Sequence, residues 1–203
     1  MARYTGPKWK LSRREGVDLF GRLGSKFQKE GRTTQLPGVH GPKQYRGKVT
    51  GYGLQLREKQ KAKRTYGVLE RQFKHYYEEA IKSTGNTGDS MMQLLERRLD
   101  NVIYRLGLAK TRPQARQLVA HGNVTVNGKR IDIPSYLVKI GDVVTLSTKA
   151  SKFALVIDNL EQKYDTPAWL IRKGAIGKVE RFPKADETDL DIKYHIIIEY
   201  YSR

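Results

Sequence analysis

Three regimes of hydrophobic patterning divide the 203-residue chain. From residue 1 to 48 apolar side chains are sparse and aperiodic, broken by Gly6, Gly16, Gly21, Gly24, Gly31, Gly38, Gly41 and Gly47. Such a stretch buries too little apolar area to offset its own ordering entropy. It reads as an extended arm, with one helical turn near Ser12 to Leu23, that orders on a partner; a disordered solubilising tail is the alternative. From Leu54 to Ile81 the pattern turns helical. Ala62, Tyr66, Leu69, Phe73, Tyr76 and Ala80 recur every three or four residues as one apolar stripe. Gly67 interrupts it, which predicts two helices or a bend. The loop-like STGNTGDS (83–90) then marks a domain boundary, with Asp89 or Ser90 placed to cap the next helix.

Beyond the loop, Met92, Leu95, Leu99, Val102, Ile103 and Leu106 predict one buried helical stripe ending at Gly107, with Arg97, Arg98, Asn101 and Arg105 on other faces. Thr111 and Gln114 have capping-box spacing and Pro113 suits a first helical turn. In that short helix Ala115, Leu118 and Val119 face inward, while Arg112 and Arg116 share an outward face. Gly122 ends it. Val124 and Val126 alternate as a strand into an Asn127-Gly128 hairpin, and Val138 to Ser147 adds a turn and a strand. Residues 152–164 read as a linker or short helix, Val179 to Phe182 as a strand and Lys184 to Asp191 as an acidic loop. His195 to Tyr201, rich in β-formers, reads as a strand, with packing on the first helical domain as the alternative. The fold class is α+β: an extended basic arm (1–48), a helical domain (49–88) and a domain (89–203) of short helices on a small, mainly antiparallel sheet with C-terminal strands.

Charge narrows the function. Thirty-nine Lys and Arg against 21 Asp and Glu give a net +18, which calls for a polyanionic partner, RNA or DNA ahead of an anionic membrane. The surplus is uneven: +9 over residues 1–48, +4 over 49–83, +5 over 84–150 and zero over 151–203. The last quarter is therefore framework or a protein-contact surface. With no cysteine there is no disulfide scaffold, thiol nucleophile or Cys-ligated zinc. No run approaches the roughly 20 apolar residues of a membrane span, and MARYTGPKWKLSRREG has no apolar signal core. A protein of the cell interior is expected, with no cofactor and no metal.

Catalysis has little support. His40, His75, His121 and His195 are isolated, and no phosphate-cradling glycine motif is present. Arg98-Leu99-Asp100 is similar to a tripeptide of certain RNA pseudouridine synthases, but Leu99 belongs to the core stripe, so the match is treated as coincidence. An RNA-modifying enzyme and a DNA-compacting protein remain the competing classes. Polyanion binding is better supported, because Arg97, Arg105, Arg112, Arg116, Lys129 and Arg130 come from two helices and a hairpin joined by short turns. Gln114, Gln117, His121 and Asn127 could add hydrogen bonds to sugars or base edges.

At these residues the chain resembles the S-four RNA-binding domain. YGLQLREKQKAKRTYGVLERQFKHYY (52–77), GNTGDSMMQLLERRLDNVIYRLGLAKTRPQARQLVAHGNVTVNG (85–128), IIIEYYSR (196–203) and the opening MARYTGPKWKLSRREG extend the resemblance to the bacterial-type S-four family of small-subunit ribosomal proteins. The resemblance implies a non-enzymatic constituent of the small subunit in the cytoplasmic ribosome. It implies a primary rRNA-binding protein that binds an rRNA helix junction and nucleates the subunit body. Beside ribosomal protein S-five, near the mRNA entrance, it would influence decoding accuracy, and some members repress their own translation. No membrane and no homo-oligomer are expected. Charge and resemblance together give an rRNA-binding set of Arg3, Lys8, Lys10, Arg13, Arg14, Arg22, Tyr52, Arg57, Lys59, Lys61, Lys63, Arg64, Arg71, Lys74, Arg97, Arg105, Lys110, Thr111, Arg112, Gln114, Arg116, Gln117, His121, Asn127, Lys129 and Arg130. Lys43, Arg46 and Lys48 correspond to the segment near the mRNA, although GPKQYRGKVTGYG departs there in length and composition from Arg-rich relatives. Many relatives hold a zinc with four arm cysteines; this chain resembles the zinc-free type.

Overall fold

The computed structural model describes residues 4–20, 36–41, 50–162, 164–184, 187–188 and 192–202. These divide into two compact units, one of residues up to Glu78 together with those from Ile192 onward, the other of residues between Glu79 and Asp191.

The first unit is built around α2 (Gly51–Thr65), whose start is capped by Thr50 Oγ1 accepting from Gly53 N at 3.1 Å. It is preceded by α1 (Lys8–Glu15) and followed by α3 (Glu70–Lys82). The helix expected near Ser12 to Leu23 lies earlier, at Lys8–Glu15, and cannot run on toward Leu23 because Gly16 takes a left-handed φ of 69° and stops it. The Glu15 side chain, 1% exposed, accepts from Arg57 at 3.1 Å and from Arg64, tying α1 to α2. Burial raises the Glu15 pKa against the pull of the two guanidiniums. Of the predicted stripe, Ala62, Tyr66, Phe73, Tyr76 and Ala80 are buried and Leu69 is exposed, since it lies in the turn between two helices.

The predicted C-terminal strand is corrected: Tyr194–Ser202 is a helix, here α8, which packs on α2. Its β-branched residues favour a strand only weakly, and burial overrides that preference. Tyr194, Ile197 and Tyr201 follow helical spacing; Ile197 is fully buried, and Tyr201 stacks on Tyr77 with centroids 4.8 Å apart. A four-residue knot fastens the helix. Glu70 accepts from Lys59 Nζ at 2.6 Å, from Lys63 Nζ at 2.9 Å and from the Tyr201 hydroxyl at 2.8 Å. The Lys59 ammonium also sits 4.5 Å from the centre of the Tyr200 ring. Lys59, assigned to a basic outer face, is thus 4% exposed.

In the second unit, α4 (Thr87–Glu96), α5 (Leu99–Arg105), α6 (Arg112–Ala120) and α7 (Ala154–Glu161) accompany a five-stranded antiparallel sheet. Its strands are β1 (Val124–Val126), β2 (Lys129–Ile131), β3 (Val143–Leu146), β4 (Leu170–Lys173) and β5 (Ile176–Val179), in the order β2-β1-β3-β5-β4. Leu99, Val102, Ile103, Leu106, Leu118, Val119, Val124, Val144 and Trp169 share one core. Asn127 and Gly128, at φ of 50° and 78°, form the tight turn that pairs Val126 with Lys129.

Three expectations change here. The single helix predicted over 92–106 is two helices. Arg98 is extended (φ −61°, ψ 135°), and Leu99 N and Asp100 N donate to the carbonyls of Tyr136 and Pro134 while Val138 N donates to that of Arg97. These bonds to the 134–138 segment outcompete helix continuation, yet every member of the predicted stripe stays buried. The cap of α4 is Asn86, whose Oδ1 accepts from Gly88 N at 2.8 Å, not Asp89 or Ser90. The strand expected at 179–182 lies at Ile176–Val179, in a hairpin with β4; Gly174 and Gly177 dilute its apolar alternation.

Replacing Leu99 by Ala is expected to cost about 2 to 5 kcal/mol in denaturant unfolding, because the residue is fully buried in the core. Glu70 supplies a pH signature. Burial pushes its pKa up, but the hydrogen bonds from Lys59, Lys63 and Tyr201 prevail and bring it from 4.5 to about 2. A depressed folded-state pKa stabilises fully above the unfolded value, and that contribution disappears as pH falls through the folded one. Stability measured between pH 4.5 and pH 2 should therefore fall less steeply in Glu70→Gln than in the parent.

Candidate nucleic-acid interface

A polar cluster at the break between α4 and α5 positions the basic face of the second unit. Glu96, fully buried, accepts from Arg105 at both carboxylate oxygens, each at 2.9 Å. Asn101 donates its amide to Glu96 O at 2.9 Å and to Glu96 Oε2 at 2.8 Å. The other end of that amide, Oδ1, accepts from Arg112 Nε at 2.8 Å. Asp100 accepts from Arg98 at 3.1 and 2.7 Å, and its Oδ2 also accepts from Arg116 Nη1 at 3.0 Å. Two adjoining sets result, Glu96 with Arg105 and, through the Asn101 amide, Arg112, and Asp100 with Arg98 and Arg116. Unpaired, each of these buried charges would carry a desolvation cost of several kcal/mol.

Arg98, Asn101 and Arg105 were expected on faces away from the core. They are 2%, 1% and 2% exposed, so the outward reading of this side of α5 is corrected. The periodicity of one helix could not show that a second helix and the 134–138 segment cover it. Arg112 and Arg116, also expected to face outward, are half-buried. The Arg112 guanidinium lies 4.3 Å from the centre of the Tyr104 ring. Replacing the pair would remove framework as well as charge.

Around this cluster the remaining expected residues fall into place locally. Thr111, buried, caps α6 by accepting from Gln114 N at 3.4 Å, and Gln114 Oε1 accepts from Lys110 N at 2.9 Å. Lys110, Gln117, His121, Lys129 and Arg130 are exposed. The Arg130 guanidinium lies against Gly122, where any side chain would collide with it, so a hairpin cation is brought to the end of α6. Asn127 is held by its neighbours: its amide donates to Asp142 Oδ1 at 2.8 Å and its Oδ1 accepts from Val143 N at 2.9 Å. Arg97 Nε donates to Val138 O at 2.9 Å, with its guanidinium 4.4 Å from the centre of the Phe182 ring. Burial lowers the Arg97 pKa against the pull of Asp142, without uncharging a group that stays protonated in proteins.

In the first unit, Lys10, Tyr52, Arg71 and Lys74 are exposed, while Lys8, Arg13, Arg14, Arg57, Lys61, Lys63 and Arg64 are half-buried. Lys59, Lys63, Arg57 and Arg64 are engaged with Glu70 or Glu15 as described. Arg3, Arg22, Lys43, Arg46 and Lys48 lie outside the described residues. Glu96, Asp100 and Asn101 are not among the sequence-derived candidates. Their only signal is that polar residues border an otherwise apolar stripe. Among the described residues, no group of three or more His, Cys, Asp or Glu could hold a metal, and no helix is long and apolar enough to cross a membrane.

Known families match both parts of the chain. The Ribosomal protein S4/S9 N-terminal domain matches residues 3–96 and the S4 domain matches residues 97–144. The small ribosomal subunit protein uS4 of Thermoanaerobacter pseudethanolicus is 51% identical over 209 residues, with 100% of each chain covered. Those of Herpetosiphon aurantiacus and Ruthia magnifica subsp. Calyptogena magnifica are 51% and 47% identical, again over 100% of each chain. The chain belongs to the uS4 family. The S4-domain match begins at Arg97, so the polar cluster, Glu96 apart, lies within the matched residues, as do α6 and the β1–β2 hairpin.

Glu96→Gln is expected to destabilise the protein by about 3 to 5 kcal/mol, because it leaves the buried Arg105 guanidinium without its counter-charge. Thermal or denaturant unfolding measures this. Replacing Glu96 and Arg105 together by apolar residues of similar volume should cost less than Glu96→Gln alone.

Proposed function

We propose that this uS4-family protein binds a folded helix junction of small-subunit rRNA early in assembly and so helps nucleate the body of the subunit. Family membership makes it a structural constituent of the small ribosomal subunit, at work in the cytoplasmic ribosome, and not an enzyme. The observation that carries the finer reading is the surface around α6. Lys110, just before α6, Gln117 and His121 at its exposed side and end, and Lys129 and Arg130 of the hairpin that follows are all exposed, and Arg112 and Arg116 of α6 are half-buried, in a chain of net charge +18. Arg112 lies in the first turn of α6, where backbone N–H groups and the helix dipole also favour phosphate. Structured RNA is recognised largely through backbone and shape, and fixed guanidiniums beside exposed lysines suit that task. The exposed and half-buried cations of the first unit, Lys10, Arg13, Arg14, Arg71 and Lys74 among them, are further candidates for contact with the same rRNA.

The same reading extends to partners and regulation. Ribosomal protein S-five and other small-subunit proteins are the expected neighbours of the charge-neutral last quarter, and the mRNA entrance is where Lys43, Arg46 and Lys48 would act. An influence on decoding accuracy and repression of the protein's own translation belong to this proposal too, supported by the resemblance set out above.

Binding to a junction-containing rRNA fragment should be saturable and weaken steeply with salt. Replacing Lys110 and Lys129 together by Ala should flatten the plot of log affinity against log salt by roughly 0.9 for each phosphate no longer neutralised on the scale for duplex DNA, somewhat less on single strands. The thermal midpoint should not move, because both side chains are exposed. An unchanged slope would show that the hairpin and α6 do not face phosphate.

A further inference from the structure

The geometry points to Asp100 and Asn101 as positioning residues that hold Arg116 and Arg112 in a preformed, RNA-facing pair. This rests on the rRNA-binding reading above and names the residues that set up its contact face.

The cluster is poorly explained as a stabiliser. Buried ion pairs give little net stability, and apolar residues of equal volume often serve the fold as well or better. An apolar substitute cannot, however, fix the plane of a guanidinium. Arg112 is fixed twice, by the bond from its Nε to Asn101 Oδ1 at 2.8 Å and by the Tyr104 ring 4.3 Å from its centre. Asn101 cannot turn its amide round, because its N–H2 end donates to Glu96 O at 2.9 Å and to Glu96 Oε2 at 2.8 Å. The acceptor end must therefore face Arg112. Asp100 is anchored just as firmly: its backbone N–H donates to Pro134 O at 3.2 Å, and Arg98 holds its carboxylate from the other side. Its Oδ2 then fixes Arg116 Nη1 at 3.0 Å.

Consecutive residues of α5 thus each hold one arginine of α6, and those arginines are four apart, on one face. A guanidinium has five N–H donors in a planar fork, so a positioning partner can set its plane through one edge. An arginine ordered in advance spares the binding step the entropy of ordering it. It can also present its planar fork to phosphate oxygens, which lysine cannot. Charge alone would give attraction to any RNA; fixed planes give preference for the RNA whose phosphates match.

The test measures binding of the full chain to a small-subunit rRNA junction fragment and to a random RNA duplex of equal length, at one salt concentration. Arg112→Lys and Arg116→Lys keep both charges and leave Asp100 and Asn101 in place. Each is expected to lower the ratio of junction to random-duplex affinity about 2- to 10-fold, the range expected for one side chain that must be ordered on binding. Asn101→Ala should lower the ratio as Arg112→Lys does, and the double variant should lose no more than either single one. Tyr104→Leu, which removes the stacking ring, provides the same cycle if Asn101→Ala does not fold. Lysine variants with the parent's ratio, or losses that add in the double variant, overturn the positioning role. A parent protein with no preference for the junction overturns the rRNA-junction reading and this inference with it.

Discussion

Much of the second unit depends on keeping the Glu96 carboxylate and the Arg105 guanidinium together in a place that water does not reach. Neither charge could stay there alone. They can meet because the chain turns at Arg97 and Arg98, between α4 and α5, instead of continuing as one helix. The turn in turn exposes backbone donors that only the 134–138 segment satisfies. Asp100 and Asn101, which follow Leu99, are then set against α6. One buried pair thereby links the register of two helices, the course of a distant loop and the orientation of Arg112 and Arg116.

The first unit solves a similar problem with smaller groups. Its core is small, and its described elements are helices joined by aromatic stacking and two acidic knots. Glu15 gathers Arg57 and Arg64, and Glu70 gathers Lys59, Lys63 and Tyr201. Each knot is one carboxylate among several cations. In a chain so rich in Lys and Arg, each carboxylate at a helix crossing offsets a local repulsion and fixes an angle at once. The cations left on the surface are then available to a polyanion. The last helix closes a unit that the first residues begin, so this unit is completed only by residues 192–202.

Much of this was legible in the sequence. The Thr111 cap, the Asn127-Gly128 turn, the burial of the stripe from Met92 to Leu106 and the two-helix alternative at Gly67 are local signals that the structure bears out, although the returning Gln114 bond goes to Lys110 N rather than to Thr111 N. Family membership was carried by the motifs quoted from residues 52–77 and 85–128. The strand expected at 195–201 was not there. Its β-formers are a weak preference, and Tyr194, Ile197 and Tyr201 gain more by packing as one helical face.

The sequence by itself determined the class of partner, the two regions of helical stripe and the hairpin, because charge, period and turn chemistry act within a few residues. Tertiary structure alone decided which cations stay exposed and which are tied into the framework. Lys59 and Arg105 carry the same charge as Lys110 and Lys129, and nothing in their neighbours along the chain separates them. What separates them is a carboxylate eleven or nine residues away, brought close only when helices cross, and the water that such a crossing excludes.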